Sequence, residues 1–200
     1  MNDTKEHILN IALKLFLQKN FKEVTMKEIV NKTGLSKGAF YHYFKSKEQL
    51  FGEVIDNYFS LLISDDYNDS KVSLYEFYHD RINKINSFSN NSSENIMEYG
   101  EDVFNINFFS LIFDALKMFP GFRKKMEDYH KKELNAWSSA IKRAKVKGEI
   151  KSSLTDKQIA MIFIYTSDGL AMNLTLNSNI KNLKKEIKPL WDKFYDSMKV

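Results

Sequence analysis

TMKEIVNKTGLSKGAFYHYFKSKEQL, residues 25–50, sets two short helices, a turn and the start of a third helix in one uninterrupted run. Thr25 is placed to cap the first of these helices. Glu28, three positions on, completes a capping box, and Ile29 and Val30 supply apolar contacts. Gly34 ends the helix, because a glycine just past the last turn takes the left-handed conformation that a sharp reversal needs. Leu35 plugs the turn and Ser36 caps the next helix, which the pattern predicts over residues 37–44. The arrangement is a helix-turn-helix.

The helical period sorts the second helix into two faces. Phe40, Tyr43 and Phe44 form an inner stripe, while Lys37, Gly38, Tyr41 and His42 share the outer one. That outer face suits a DNA groove: the helix N-terminus favours phosphate, Lys37 adds charge, and Gly38 lets the backbone come close. Ser46 and Gln49 make a further capping box. The helix they open carries Lys47 in its first turn, a poor place for a cation unless an anion lies nearby.

The run TGLSKGAFYHYFKSKEQLF, residues 33–51, closely resembles the signature of the TetR family of bacterial transcriptional regulators. It has glycine in the turn, Lys-Gly opening the recognition helix, an aromatic-His cluster, then Phe and Lys-x-Lys-Glu-x-Leu in register. The resemblance covers residues 1–51, about a quarter of the chain. It implies an all-α, non-enzymatic protein without a cofactor. A three-helix DNA-binding domain, residues 1–47, would carry a larger helical effector-binding and dimerisation domain, residues 48–200. By the same resemblance Thr25, Ser36, Lys37, Gly38, Tyr41, His42 and Lys47 match positions that contact DNA, mostly at phosphates.

Charge placement points the same way. Of the net +4, residues 1–50 hold nine lysines against five acids, and residues 51–200 hold 21 basic against 21 acidic residues. The whole excess therefore lies in the helix-turn-helix segment, the electrostatic footprint of a nucleic-acid binder. A solvated lysine face is the plain alternative.

A hydrophobic fraction of 43% in 200 residues supports one large domain or two small ones. No stretch reads as apolar for long enough to span a membrane, so no membrane partner is expected. Lys5, Glu6 and Asn10 interrupt the start, which argues against a signal peptide and for the cytoplasm. The absence of cysteine excludes disulfides, thiolate zinc sites and cysteine nucleophiles, and two prolines with seven glycines argue against a β-rich fold.

Outward from the motif, residues 4–19 are apolar nearly all round and predict a helix buried on several sides, ended by Asn20, with Phe21 packing back and Lys22 near phosphate. A connector helix runs over 47–64, with Leu50, Val54, Ile55, Tyr58, Phe59 and Leu62 on its apolar face. A polar break at 65–70, a helix over 72–88 and a loop or frayed segment over 86–95 follow. A helix rich in aromatics then ends at Pro120-Gly121, where the next, to about residue 147, begins. Tyr99, Phe104, Phe108, Phe109, Phe113, Tyr129 and Trp137 are candidate walls of a site for a largely apolar or aromatic small-molecule effector; plain core is the alternative use of such rings.

Thr155 and Gln158 cap a helix marked by Ile159, Ile162, Phe163, Thr166, Leu170 and Leu174. Ile187, Leu190, Trp191, Phe194, Tyr195 and Met198 mark another, which Pro189 either starts or kinks. The family resemblance implies a homodimer through these two helices, with Phe163, Leu170, Leu190, Trp191, Phe194 and Tyr195 as candidate interface residues. The expected function is a repressor released from a pseudo-palindromic double-stranded DNA operator by the effector. The rival is a carboxylate-bridged di-metal bundle using Glu76/His79 and Glu127/His130, with Glu53, Glu98 or Glu101 as further ligands. Solvated Glu and His one turn apart is the plain reading of those pairs, and no metal site is expected. Nucleophilic triads, phosphate-binding glycine loops and His-Glu-x-x-His helices are not recognisable in the sequence.

Overall fold

The computed structural model describes residues 3–63, 73–91 and 106–200. Among them are nine α-helices: α1 (Asp3–Lys19), α2 (Met26–Thr33), α3 (Lys37–Tyr43), α4 (Lys47–Ile63), α5 (Leu74–Asn91), α6 (Ile106–Met118), α7 (Pro120–Val146), α8 (Asp156–Leu176) and α9 (Leu183–Asp196). A 3-10 turn, Ile180–Asn182, leads into α9. The expected polar break at 65–70, together with Glu98, Tyr99, Glu101 and Phe104, lies outside the described residues.

Local chemistry sets most boundaries. Thr25 accepts a hydrogen bond from the Glu28 N–H at 3.2 Å, and Gly34 closes α2 at φ 69°. Ser36 accepts from the Ala39 N–H at 3.2 Å. Asn20 is left-handed at φ 73°, and its side-chain oxygen accepts from the Lys22 and Glu23 N–H groups. At α8 the capping box is complete in both directions, with Thr155 and Gln158 reciprocating. Pro120 opens α7 at the first helical position, where a missing N–H costs nothing.

Three elements differ from the sequence reading or decide what it left open. α5 continues to Asn91, through the Asn-Ser-Phe-Ser-Asn-Asn stretch expected as loop. Asn and Ser are only mildly unfavourable inside a helix, and no Gly or Pro stands there to stop it. Pro189 sits inside α9, which begins six residues earlier at Leu183. The third is α8, which by length and composition alone is apolar enough to cross a membrane, at a mean hydropathy of 1.3, although no such stretch was expected. Beyond Lys157 its only charged residue is Asp168. Ile159, Ala160, Phe163 and Ile164 of that helix are buried in a core cluster, as in a core helix.

The chain forms two compact units, Met1–Asp65 with Ser93–Lys124, and Asp66–Ser92 with Lys125–Val200. Packing thus divides the chain elsewhere than after Lys47, where the sequence divides it by role. In the first unit α1 is the central element, packed against α2, α4 and α6. Its buried Ile8, Leu9, Ala12, Leu13, Leu15, Phe16 and Leu17 point to several sides, which explains why its sequence is apolar nearly all round.

In the second unit α9 packs on α5 and α8. Tyr78, Trp137, Phe163 and Trp191 fill the middle, with Trp137 stacked on Phe163 at 4.8 Å and edge-on to Trp191 at 5.3 Å. Each such ring stabilises the fold by roughly 1.5–3 kcal/mol through burial alone. Glu149 ties this unit together: its carboxylate accepts from the Leu74 and Tyr75 N–H groups at the start of α5 and from the Tyr195 hydroxyl. The chain end pairs beside it, with Ile150 bridged antiparallel to Lys199.

Candidate nucleic-acid interface

The seven-residue helix α3 carries the outer face that the sequence predicts. Phe40 and Phe44 are 0% exposed, whereas Ser36, Lys37, Gly38, Tyr41 and His42 are all exposed. Tyr43, assigned to the inner stripe, is half-buried. The inward rings anchor the helix, and the outward residues form one row of a cation, a bare backbone position and two aromatic donors. A Cβ added to Gly38 would meet no atom within 4 Å, so the backbone is open to a close approach there. Thr25, at the N-terminus of α2, is exposed as well.

Lys47 is placed differently. Its ammonium donates to the Phe21 and Val24 carbonyls at 2.7 and 2.8 Å and lies 4.3 Å from the Phe21 ring centroid. The negative partner that a cation at a helix N-terminus requires is therefore supplied by the loop between α1 and α2. The two capping boxes flanking α3 are half-formed. Glu28 turns to Lys19 at 2.6 Å, and Gln49 accepts from the Lys45 N–H at 3.0 Å rather than from Ser46. Lys45 in turn donates from its ammonium to the Tyr41 carbonyl.

Sequence reasoning passed over the outer side of α2. Thr25, Lys27, Glu28, Asn31 and Lys32 line an open groove of about 430 Å³. The signal was present, since Lys27 and Asn31 lie one turn apart and away from the buried Ile29 and Val30. The groove adds two lysines to the exposed row on α3.

The described candidate effector residues fall in both units. Phe108 and Phe109 pack edge-on at 5.5 Å and Phe108 meets Tyr58 at 6.3 Å, all in the first unit, where Phe113 is half exposed. Tyr129 and Trp137 belong to the second unit. Trp137 is fully enclosed by Phe77, Phe163 and Trp191, so it is core and not a cavity wall. The Tyr58 hydroxyl is buried and its acidity is suppressed by desolvation.

Of the candidate interface residues, Phe163, Trp191 and Tyr195 are buried within the second unit itself, and Leu170 and Phe194 are half-buried against the same core. The stripe read as an interface is the inward side of α9, where Ile187, Trp191 and Tyr195 follow at intervals of four residues. Leu190 alone of the six is exposed. On α8 the exposed large side chains are Ile162, Tyr165 and Leu176.

Three of the four residues of the paired Glu-x-x-His motifs have other partners. Glu76 accepts from the Ser73 N–H and hydroxyl at 2.9 and 3.0 Å, completing a capping box that holds its carboxyl below the usual range. His79 stands 3.3 Å from the Asp192 carboxylate, and His130 stacks on Tyr165. Among the described residues, no three His, Asp or Glu side chains stand together as a metal site would require.

Comparison with known proteins adds a family to this geometry. Residues 8–54 match the family model described as "Bacterial regulatory proteins, tetR family". The HTH-type transcriptional regulator AcrR of Shigella flexneri is 40% identical over 52 residues, 26% of this chain and 24% of the relative. The HTH-type transcriptional repressor NemR of Escherichia coli is 28% identical over 105 residues, 52% of this chain and 45% of the relative. The chain thus matches less than half the length of these relatives. A TetR transcription regulator from Haloarcula marismortui superposes over 100% of both chains, with a TM-score of 0.73 and 11% identity, a likeness of fold alone.

Proposed function

We propose that this chain, whose residues 8–54 match the tetR family of bacterial regulatory proteins, is a non-enzymatic, cytoplasmic DNA-binding transcription regulator. α3 enters the major groove with Lys37, Gly38, Tyr41 and His42 toward the DNA, and Thr25 and Ser36 contact phosphate from the ends of α2 and α3. The observation that carries this reading is the division of α3 into a fully buried Phe40/Phe44 side and an exposed Lys37/Gly38/Tyr41/His42 side. Lys27 and Lys32 extend the cationic surface along α2.

The chain acts as a homodimer that reads two half-sites of a pseudo-palindrome, and it represses by occupying them. A largely apolar or aromatic small molecule, held by rings such as Phe108, Phe109, Phe113 and Tyr129, releases it. Its differential affinity for the bound and released conformations sets the size of the response. Lys47 supports the head from behind: two backbone carbonyls already hold its ammonium, and a phosphate would have to compete with them.

Titration of duplex DNA at several salt concentrations tests the reading. Lys37→Ala should weaken binding to all sequences and reduce the salt slope by about one. His42→Ala should change sequence preference with the salt slope retained. A wild-type chain that binds no duplex at low salt overturns the proposal.

A further inference from the structure

α8 is apolar on the side that the fold leaves open as well as on the side that it buries. Its long apolar stretch has a mean hydropathy of 1.3, yet only 33% of it is buried. Ile162, Tyr165 and Leu176 are its exposed large side chains, and Gly169 lies between them on the same side by the helical period. A Cβ added to Gly169 would meet no atom within 4 Å, so the backbone is bare at the middle of this stripe.

A single charge stands at its edge. Asp168 is exposed, three residues beyond Tyr165 and next to Gly169. On α7 the His130 ring stacks on Tyr165 at 5.8 Å, with its Nε2 3.4 Å from the Tyr165 hydroxyl. Although Asp168 reaches solvent, desolvation by its surroundings raises its carboxyl above the usual carboxylate range, and His130 opposes that shift. The helices that touch α8 carry other charges: Arg81 on α5, Glu127 and Lys131 on α7, Glu186 and Lys193 on α9. Among the described residues, His130 alone acts electrostatically on the Asp168 carboxyl.

We propose that α8 pairs with the α8 of a second copy about a two-fold axis near Gly169, and that Asp168 and His130 make this pairing proton-dependent, tighter as pH falls. The inference rests on the homodimer reading above and supplies its regulation. Two-fold pairing brings each residue near the axis onto its own image. Gly169 lets the backbones approach there, so Asp168 meets its image between apolar stripes from which water is excluded. Two carboxylates cannot both stay charged in such a site: one takes up a proton, or the His130 imidazolium neutralises it. By either route the dimer binds protons that the separate chains do not. Groups whose pKa is raised by pairing strengthen it fully below their free-chain values, and that gain is lost as pH rises through the raised ones. A lipid bilayer is a poorer cover, because it would take the same carboxylate with no partner.

The test is the dimer dissociation constant of the full chain, read by sedimentation of labelled protein diluted until it dissociates. The constant should fall roughly threefold to tenfold per pH unit from about pH 7.5 to 5.5, where imidazoles and raised carboxyls titrate. Asp168→Asn keeps the shape without the charge. It should pair more tightly than the wild type at the upper end of this range and lose most of the pH dependence. His130→Gln should pair more weakly than the wild type at the lower end. Gly169→Leu should abolish the dimer and leave a chain that is folded by circular dichroism. A wild-type constant that does not move with pH overturns the proposal, as does an Asp168→Asn chain with the wild-type slope or a Gly169→Leu chain with the wild-type constant. A wild type that is monomeric at every pH and concentration removes the homodimer reading itself, and its flotation with phosphatidylcholine vesicles would then give the stripe to lipid.

Discussion

Gly38 sits in the first turn of α3, where nothing in the free protein requires a glycine: its surroundings are open, and its backbone is ordinary helix. Glycine inside a helix is less stable than alanine by roughly 0.5–1 kcal/mol, so Gly38→Ala should leave the urea midpoint unchanged or raise it. The same methyl group would stand between the helix backbone and a phosphate or base edge. DNA affinity should therefore fall as stability holds or rises, and parallel urea melts and duplex titrations on one sample would show the two moving apart. An alanine variant that binds as tightly as the wild type would mean that the backbone does not approach DNA at this point. Lys47 marks the limit of such residue-level reading. The need for a negative partner was legible from its place in the first turn of α4, but the carbonyls that meet it come from residues 26 and 23 positions upstream, a contact that only folding creates.

Most of the helix ends legible in the sequence had their partner within one turn. Thr25, Gly34, Ser36 and the Thr155/Gln158 box act as their spacing predicts. The Ser73/Glu76 box is equally present in the sequence, but the same glutamate also opens a Glu-x-x-His motif, and spacing alone does not choose between the two uses. What spacing could not show is Glu149, which caps α5 from 75 residues away and accepts from Tyr195 on α9. This join has a pH signature. Burial, followed by the hydrogen bond to the Glu149 carboxylate, raises the Tyr195 phenol from 10.0 to about 12. A group whose pKa is raised by folding contributes stability that is complete below its unfolded value and is lost as pH rises through the folded one. Chemical unfolding of the wild type should therefore become easier between about pH 10 and 12, the window set by these two values. Tyr195→Phe, although less stable at neutral pH, should show a shallower decline over that window. Parallel slopes for the two proteins would mean that folding does not raise the phenol through burial and the Glu149 contact.

For the molecule as a whole, the helical period alone could not decide which side of α9 faces inward, and it is here that the sequence reading most needed the structure. A stripe of Ile187, Trp191 and Tyr195 is what a helix shows whether it packs on its own chain or on a second copy. In the fold that stripe is fully enclosed: Trp191 is 3% exposed, while Leu190, one residue away, is 50% exposed and Tyr165 on α8 is 47% exposed. The two classes of position make opposite predictions for a charged substitution. Trp191→Asp buries an unpaired carboxylate among Tyr78, Trp137 and Phe163 and should destabilise the unit by several kcal/mol, or about 3–5 kcal/mol if the lost ring dominates. Its effect on association would then be a by-product of unfolding. Leu190→Asp places the charge in water in the single chain and should leave thermal unfolding of the monomer nearly unchanged, whereas Tyr165→Asp also gives up the ring stacked on His130 and should lower it slightly. If α8 and α9 form the proposed dimer contact, those same changes bury a charge between copies. Sedimentation should then shift from dimer to monomer, and operator affinity should fall with it, because two linked reading heads bind far more tightly than one. A Leu190→Asp/Tyr165→Asp chain that sediments as an intact dimer would place the contact on other helices, whereas a folded monomer would tie these exposed side chains to assembly and separate them from the buried stripe between them.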